Sequence, residues 1–186
     1  MMMTLGDDMR GHFVAVGHFV TVGHFVTVGN HVVLGNHARV GHFVKVGNHV
    51  TLGSHVVVGD DVTVGNDVTV GDDVTVGNGV VLGDGVVLGD GVVLGDGVVL
   101  ADGVRLNASP IYIQGTRYFV GYVGNGLVQS GCITKPLEWW LENVERCAAE
   151  HGYTATQQTE YRLHIESVAK WMELQSKSQA TDLEPR

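Results

Sequence analysis

The chain has 186 residues and carries 20 Asp and Glu against 11 Lys and Arg, a formal net charge of −9 with His neutral. That balance excludes the basic surface by which proteins hold nucleic acid, so no nucleic-acid partner is expected. Apolar residues make up 44% of the chain, enough for a packed core, yet no uninterrupted apolar run approaches the roughly 18 residues of a membrane span, so no membrane partner is expected either.

Residues 1–10 read as a leader, and Asp7 and Asp8 stand where a secretory signal would be basic, which makes the cytoplasm the expected compartment. From Gly11 to Leu106 the chain is sixteen unbroken hexapeptides, each opening with Gly except the last, which opens with Ala101. The fourth residue of each unit is Val, with Ala38 the exception, and the sixth is always Val or Leu. An apolar–variable–apolar triplet such as Val62-Thr63-Val64 alternates at period two, so its outer members point inward and its centre outward. The following Gly65-Asn66-Asp67 is the bend, where Gly reaches positive φ without steric cost and Asn and Asp tolerate such geometry.

This pattern resembles the hexapeptide-repeat family, whose motif is an aliphatic residue, a small one, two variable positions, a small or β-branched one and a further variable one. Leu82-Gly83-Asp84-Gly85-Val86-Val87 fits throughout. The resemblance covers about half of the chain and implies a mainly β fold, a left-handed parallel β-helix of triangular section with three hexapeptides per coil, hence about five coils over residues 11–106. Residues eighteen apart would then stack one strand spacing, about 4.8 Å, from each other. In that family coils pack as trimers, and many members are acyl-CoA-dependent acyltransferases in which a His near a subunit interface deprotonates the acceptor.

The period disappears after Asn107. Ile111-Tyr112-Ile113, Tyr118 to Val123 and Leu127 to Ser130 read as strands, the last two joined by Gly124-Asn125-Gly126, so residues 107–133 are expected to form a small β segment. Residues 134–175 are expected to form an α-helical hairpin. Pro136 and Glu138 suit the first turn of its first helix, with Leu137, Leu141, Val144 and Ala148 as the apolar stripe and Gly152 as the stop. Thr154 and Gln157 make a capping-box pair at the start of the second helix, whose apolar face is Tyr161, Ile165, Val168 and Met172. Residues 176–186 are expected to be a disordered tail. The stretch from Ile111 to Tyr153, with Gly131-Cys132 and Glu138-Trp139-Trp140, resembles the tail of hexapeptide-repeat proteins encoded by phages and prophages. That likeness implies a mobile-element setting and, with it, a host cytoplasm. Cys132 and Cys147 are read as reduced thiols, Cys132 as a small buried one between strand and helix with no His nearby to activate it.

Eight His (His12, His18, His24, His31, His37, His42, His49 and His55) fall in the first three coils, and nine Asp run from Asp60 to Asp102. Eighteen-residue stacking pairs His31 with His49, His37 with His55 and His24 with His42, the last followed by Asp60. Neutral imidazoles stacked over a carboxylate are a candidate divalent-metal site. Against it, the units drift from GHFV through GNHV and GDDV to GDGV, as tandem duplication does, which would leave solvated corners without a task. The outward strand centres Val81, Val87, Val93 and Val99, spread over three faces, are the candidate oligomer interface.

Three enzymatic or adsorptive readings lose ground on particular residues. The family's acyltransferases usually interrupt the coil with an extended loop, and none interrupts these sixteen units. A γ-class carbonic anhydrase would need a third His two coils upstream of the His37/His42 pair, where Met1 stands. A flat Thr array for ice is broken by Arg39, Lys45 and Val57. The expectation is therefore a non-enzymatic structural or binding β-helix, homotrimeric and phage-related, with a small ligand or protein at subunit clefts and no cofactor beyond a divalent metal. The alternative is an acyl-CoA-dependent O- or N-acyltransferase with acyl-CoA as its cofactor. No catalytic residue is assigned.

Overall fold

The computed structural model describes Thr4–Leu5 and residues 13–181, with side chains over 13–176. It divides into two units, Met1–Pro110 and Ile111–Arg186. In the first, every Val-x-Val or Val-x-Leu triplet forms a strand of two or three residues. Strands eighteen residues apart pair in parallel: Thr63 lies between Lys45 and Val81, and Val64 between Val46 and Leu82. Three parallel sheets of six, six and five strands result, giving a parallel β-solenoid of about five coils. The fourth and sixth residues of the units fill the core as expected: Val50, Val56, Val62 and Val68 are fully buried, and Leu52, Leu82, Leu88 and Leu94 nearly so. The column opens out at the first coil, where Val16 is 49% exposed. Thr4–Leu5, in the expected leader, extends one sheet by pairing with Thr27–Val28. The rest of the leader, and His12, lie outside the described residues.

The bends are built differently from the expectation. Left-handed φ belongs to the third residue of the unit and not to the opening glycine, with φ 59° at Phe19, His37 and Asp61 and 70° at Gly97. The opening glycine meets another demand: a Cβ on Gly47 would lie 2.5 Å from the carbonyl oxygen of Gly65 in the next coil. Close approach of coil to coil therefore excludes a side chain there. Ala101 opens the last unit, with no further hexapeptide coil to meet its Cβ.

Second-position residues carry a structural task that corrects the picture of idle, solvated corners. The backbone N–H of Asn30 donates to Asn48 Oδ1 at 2.8 Å, that of Asn48 to Asn66 Oδ1 at 2.9 Å, and that of Asp84 to Asp102 Oδ1 at 2.9 Å. Third-position amides donate to the carbonyl of the second residue one coil back, as Asp67 does to Asn48 at 2.9 Å. The hydrogen-bonded ladder thus continues around the corners, where strand pairing alone would leave donors unmet.

The second unit is a four-stranded antiparallel sheet with two helices. Tyr112–Gln114, Phe119–Tyr122, Leu127–Ser130 and Ile133–Pro136 follow each other in the sheet in chain order. The fourth strand replaces the helix start expected at residue 134. Ile133-Thr134-Lys135-Pro136 has one apolar residue, and its proline is tolerated because the strand is at the sheet edge. Helix α1 spans Leu137–Glu150 and buries Trp140, Val144 and Ala148. Leu141, assigned to the apolar stripe, is 47% exposed. A 3.6-residue period admits position 140 or 141, and Trp140 takes the inner place with more apolar area and an indole N–H that donates to the Val128 carbonyl at 2.8 Å. Helix α2 spans Ala155–Thr181, so it continues past Ser176, where the tail was expected to begin. The capping box forms: Thr154 N–H donates to Gln157 Oε1 at 3.0 Å and Gln157 N–H to Thr154 Oγ1 at 3.3 Å. Tyr161, Ile165 and Val168 join Val120, Val128, Trp140 and Val144 in the core, with Met172 packed against them.

Candidate functional site

Two regions carry chemistry, the corners of the early coils and a cavity in the second unit. At the corners, the expected His pairs do meet: ring centroids are 4.8 Å apart for His31/His49, 5.1 Å for His37/His55 and 5.2 Å for His24/His42, all stacked. The solenoid imposes this, because equivalent corner residues sit one strand spacing apart. His24 N–H donates to Nδ1 of His42 at 3.0 Å, and His42 N–H to Oδ1 of Asp60 at 2.6 Å, so both side chains are engaged in the corner ladder. His55 Nδ1 lies 3.5 Å from Asp73 Oδ1. Stacked imidazoles hold their ring nitrogens side by side, whereas ligands of one ion must converge on a point about 2 Å from each. Among the described residues no three His, Cys, Asp or Glu gather as a metal cluster.

The stacks do not end with His. Phe13 lies over His31 at 5.4 Å, Phe19 over His37 at 5.1 Å and Phe25 over Phe43 at 5.0 Å, which gives each corner an aromatic ladder. These four phenylalanines are 55–80% exposed, and Phe19, Phe25 and Phe43 have φ of 58–59°. The sequence reading passed over them. The signal was present, since Phe fills the third place of G-H-F-V, the place that later holds His, Asp and Gly.

Of the outward valines, Val81 and Val99 are neighbours in one sheet. Val87 stands between Thr69 and Arg105 in the second sheet, and Val93 beside Thr75 in the third. Val81, Val93 and Val99 are exposed and Val87 half-buried, so the one adjacent apolar pair among these four is Val81/Val99.

In the second unit a cavity of about 320 Å³ opens between the sheet and α1, walled by Tyr118, Trp140, Val144, Cys147, Tyr153 and Tyr161. Burial pushes the Cys147 thiol above its ordinary value, with Glu150 adding to the shift, and burial beside Tyr161 pushes Tyr153 up to about 12. Cys132 also borders the cavity but is exposed, not buried as expected. It sits with Gly131, φ 56°, in the tight turn between the third and fourth strands, and the missed fourth strand is what had placed it under a helix. His151 Nδ1 lies 3.9 Å from Cys147 Sγ but is directed to the Cys147 carbonyl oxygen at 2.7 Å, so it serves the helix end and does not activate the thiol.

Residues 27–60 and 73–108 match the family model described as bacterial transferase hexapeptide (six repeats). No curated protein matches the sequence. Solved structures that match include the acetyltransferase domain of PglB from Neisseria gonorrhoeae FA1090, at 19% identity over 50% of each chain with a TM-score of 0.40. WeeI from Acinetobacter baumannii AYE matches at 21% identity over 46% of this chain and 50% of its own, with a TM-score of 0.19. The UDP-N-acetylglucosamine acyltransferase from Campylobacter jejuni matches at 12% identity over 86% of this chain and 82% of its own, with a TM-score of 0.27. The chain thus spans about half the length of the first two, and likeness at this level carries no inference about activity. Matched repeats, eighteen-residue strand register and the buried Val/Leu columns together make the first unit a hexapeptide-repeat parallel β-solenoid.

Proposed function

We propose that this chain is a non-enzymatic β-solenoid that assembles as a homotrimer in a phage-related setting and acts as a structural or binding protein. The observation that carries this reading is the unbroken register: sixteen hexapeptides stack without an inserted loop, and the corner histidines stack on their neighbours along the coil instead of converging on a cleft. Assembly through a coil face is supported by the exposed Val81/Val99 pair. The phage-related setting rests on the resemblance of the second unit, and a host cytoplasm follows from it. The test is direct. Light scattering should give three chains per particle at micromolar concentration, and Val81→Lys with Val99→Lys should lower that mass. A wild-type monomer would refute the assembly.

A second reading, acyl-CoA-dependent acyl transfer, is favoured by the match to the bacterial transferase hexapeptide model. On that reading an exposed corner His such as His37 or His55 would act as general base at a subunit boundary. Incubation with acetyl-CoA and a panel of amines and alcohols separates the two. The non-enzymatic reading expects no CoA release above background, whereas release abolished by His37→Asn or His55→Asn would overturn it.

A further inference from the structure

We propose that the second unit binds a compact, uncharged aromatic molecule in the cavity between its sheet and α1. The cavity, of about 320 Å³, is partly open to solvent, and Trp140, Val144, Ala148 and Tyr161 in its lining are each buried, so it presents a concave apolar surface that a guest can reach. Its size falls at the lower end of small-molecule sites and suits a guest of one or two rings.

The chemistry of the guest follows from the walls. Tyr118, Trp140, Tyr153 and Tyr161 line the space with rings, and Val144 and Ala148 add aliphatic surface. Three of the polar groups around it hold partners within the unit. Tyr161 Oη accepts the Arg117 N–H at 3.1 Å and the Tyr118 N–H at 2.5 Å, and donates to the Tyr118 carbonyl at 2.7 Å. The Trp140 indole N–H is taken by Val128. The one cation of the lining, Arg117, donates to the carbonyls of His151 and Gly152 at 3.2 and 3.4 Å and lies 4.4 Å over the Tyr153 ring. A carboxylate or ammonium guest would lose its hydration against these rings, with Tyr161 Oη, the Trp140 N–H and Arg117 Nη1 already engaged. An uncharged ring loses little hydration and gains aromatic and thiol contacts there. The upward displacement of Cys147 and Tyr153 agrees, since both mark a wall that disfavours charge.

The experiment titrates the full-length protein at pH 7 with 1-naphthol, a neutral two-ring probe, and with the anion 1-naphthoate, which has the same ring system. Expected are saturable fluorescence enhancement at one probe per chain, binding of the anion at least tenfold weaker, and alkylation of Cys147 by N-ethylmaleimide slowed at least fivefold by the neutral probe. Ala148→Phe, which fills the cavity, should abolish binding. Should that variant fail to fold, Cys132→Trp at the exposed rim should reduce probe binding with the interior untouched. Unchanged probe binding in whichever variant folds, equal affinity for the anion, or a Cys147 rate indifferent to saturating probe would each overturn the proposal. None of these readouts depends on the oligomeric state or on acyl transfer.

Discussion

Replacing the paired corner phenylalanines with glycine should reveal how strain and stacking oppose each other in the early coils. Phe25 and Phe43 both hold φ near 59° and stack at 5.0 Å, while Gly79 and Gly97 occupy the same place in later coils. Left-handed backbone costs an L-residue about 1–2 kcal/mol. Glycine removes that cost but loses roughly 0.5–1 kcal/mol more conformational entropy on folding. The ring pair contributes about 0.5–1.5 kcal/mol. Phe25→Gly alone relieves one strained residue and loses the stack, so it should destabilise by about 0.5 kcal/mol or be neutral. Phe43→Gly added to it finds no stack left to lose and should stabilise by about 0.5–1 kcal/mol. The two changes are therefore non-additive by about 1 kcal/mol, the worth of the stack. Urea denaturation of wild type, both singles and the double at low protein concentration reads this from midpoints at a common slope. Strict additivity would show that the stack contributes nothing, and a double variant more than about 2 kcal/mol below wild type would show that the rings are packed and their backbone unstrained.

Gly47→Ala would place a Cβ 2.5 Å from the Gly65 carbonyl oxygen and should cost about 2–3 kcal/mol by thermal or urea melting. Gly79→Ala, with open space around its Cβ and φ 64°, should cost about 1 kcal/mol. Asp60→Ala removes the acceptor of His42 N–H and should lose about 0.5–1.5 kcal/mol, Asp60→Asn should recover most of it, and Asp61→Gly should be neutral or stabilising. Thiol titration with a chromogenic disulfide near pH 7.5 should show a fast phase from exposed Cys132 and a slow one from Cys147, whose desolvated thiol resists ionisation; Cys132→Ser should remove the fast phase. Glu160 accepts the N–H and the hydroxyl of Thr116, each at 2.7 Å, and these bonds hold its carboxyl below its ordinary value. A depressed folded value stabilises fully above the unfolded carboxylate range, about pH 4.3, and that stabilisation fades as pH falls through the folded value, so Glu160→Gln should flatten the acid limb of a melting-temperature profile that wild type shows.

The solenoid was legible in the chain because its physics is local and repeated. Val at the fourth place and Val or Leu at the sixth, recurring every six residues, specify strand length, inward face and eighteen-residue register, and the structure pairs Thr63 with Val81 as that spacing requires. The helical hairpin was legible for the same reason, through the Thr154/Gln157 cap and the Tyr161, Ile165, Val168 stripe. What the spacing could not say is which demand each corner residue answers. Only stacked coils reveal that the opening glycine yields to the carbonyl of the next coil, that Asp60 and its equivalents hold amides of the coil before, and that Phe25 and Phe43 accept a left-handed backbone. In the second unit the choice of Trp140 over Leu141, the edge strand Ile133–Pro136 and the cavity were likewise settled by packing. Periodicity determines which face of an element turns inward, because that depends on neighbours along the chain. Close approach, hydrogen-bond partners eighteen residues away and the space left between sheet and helix depend on atoms that only the folded chain brings together.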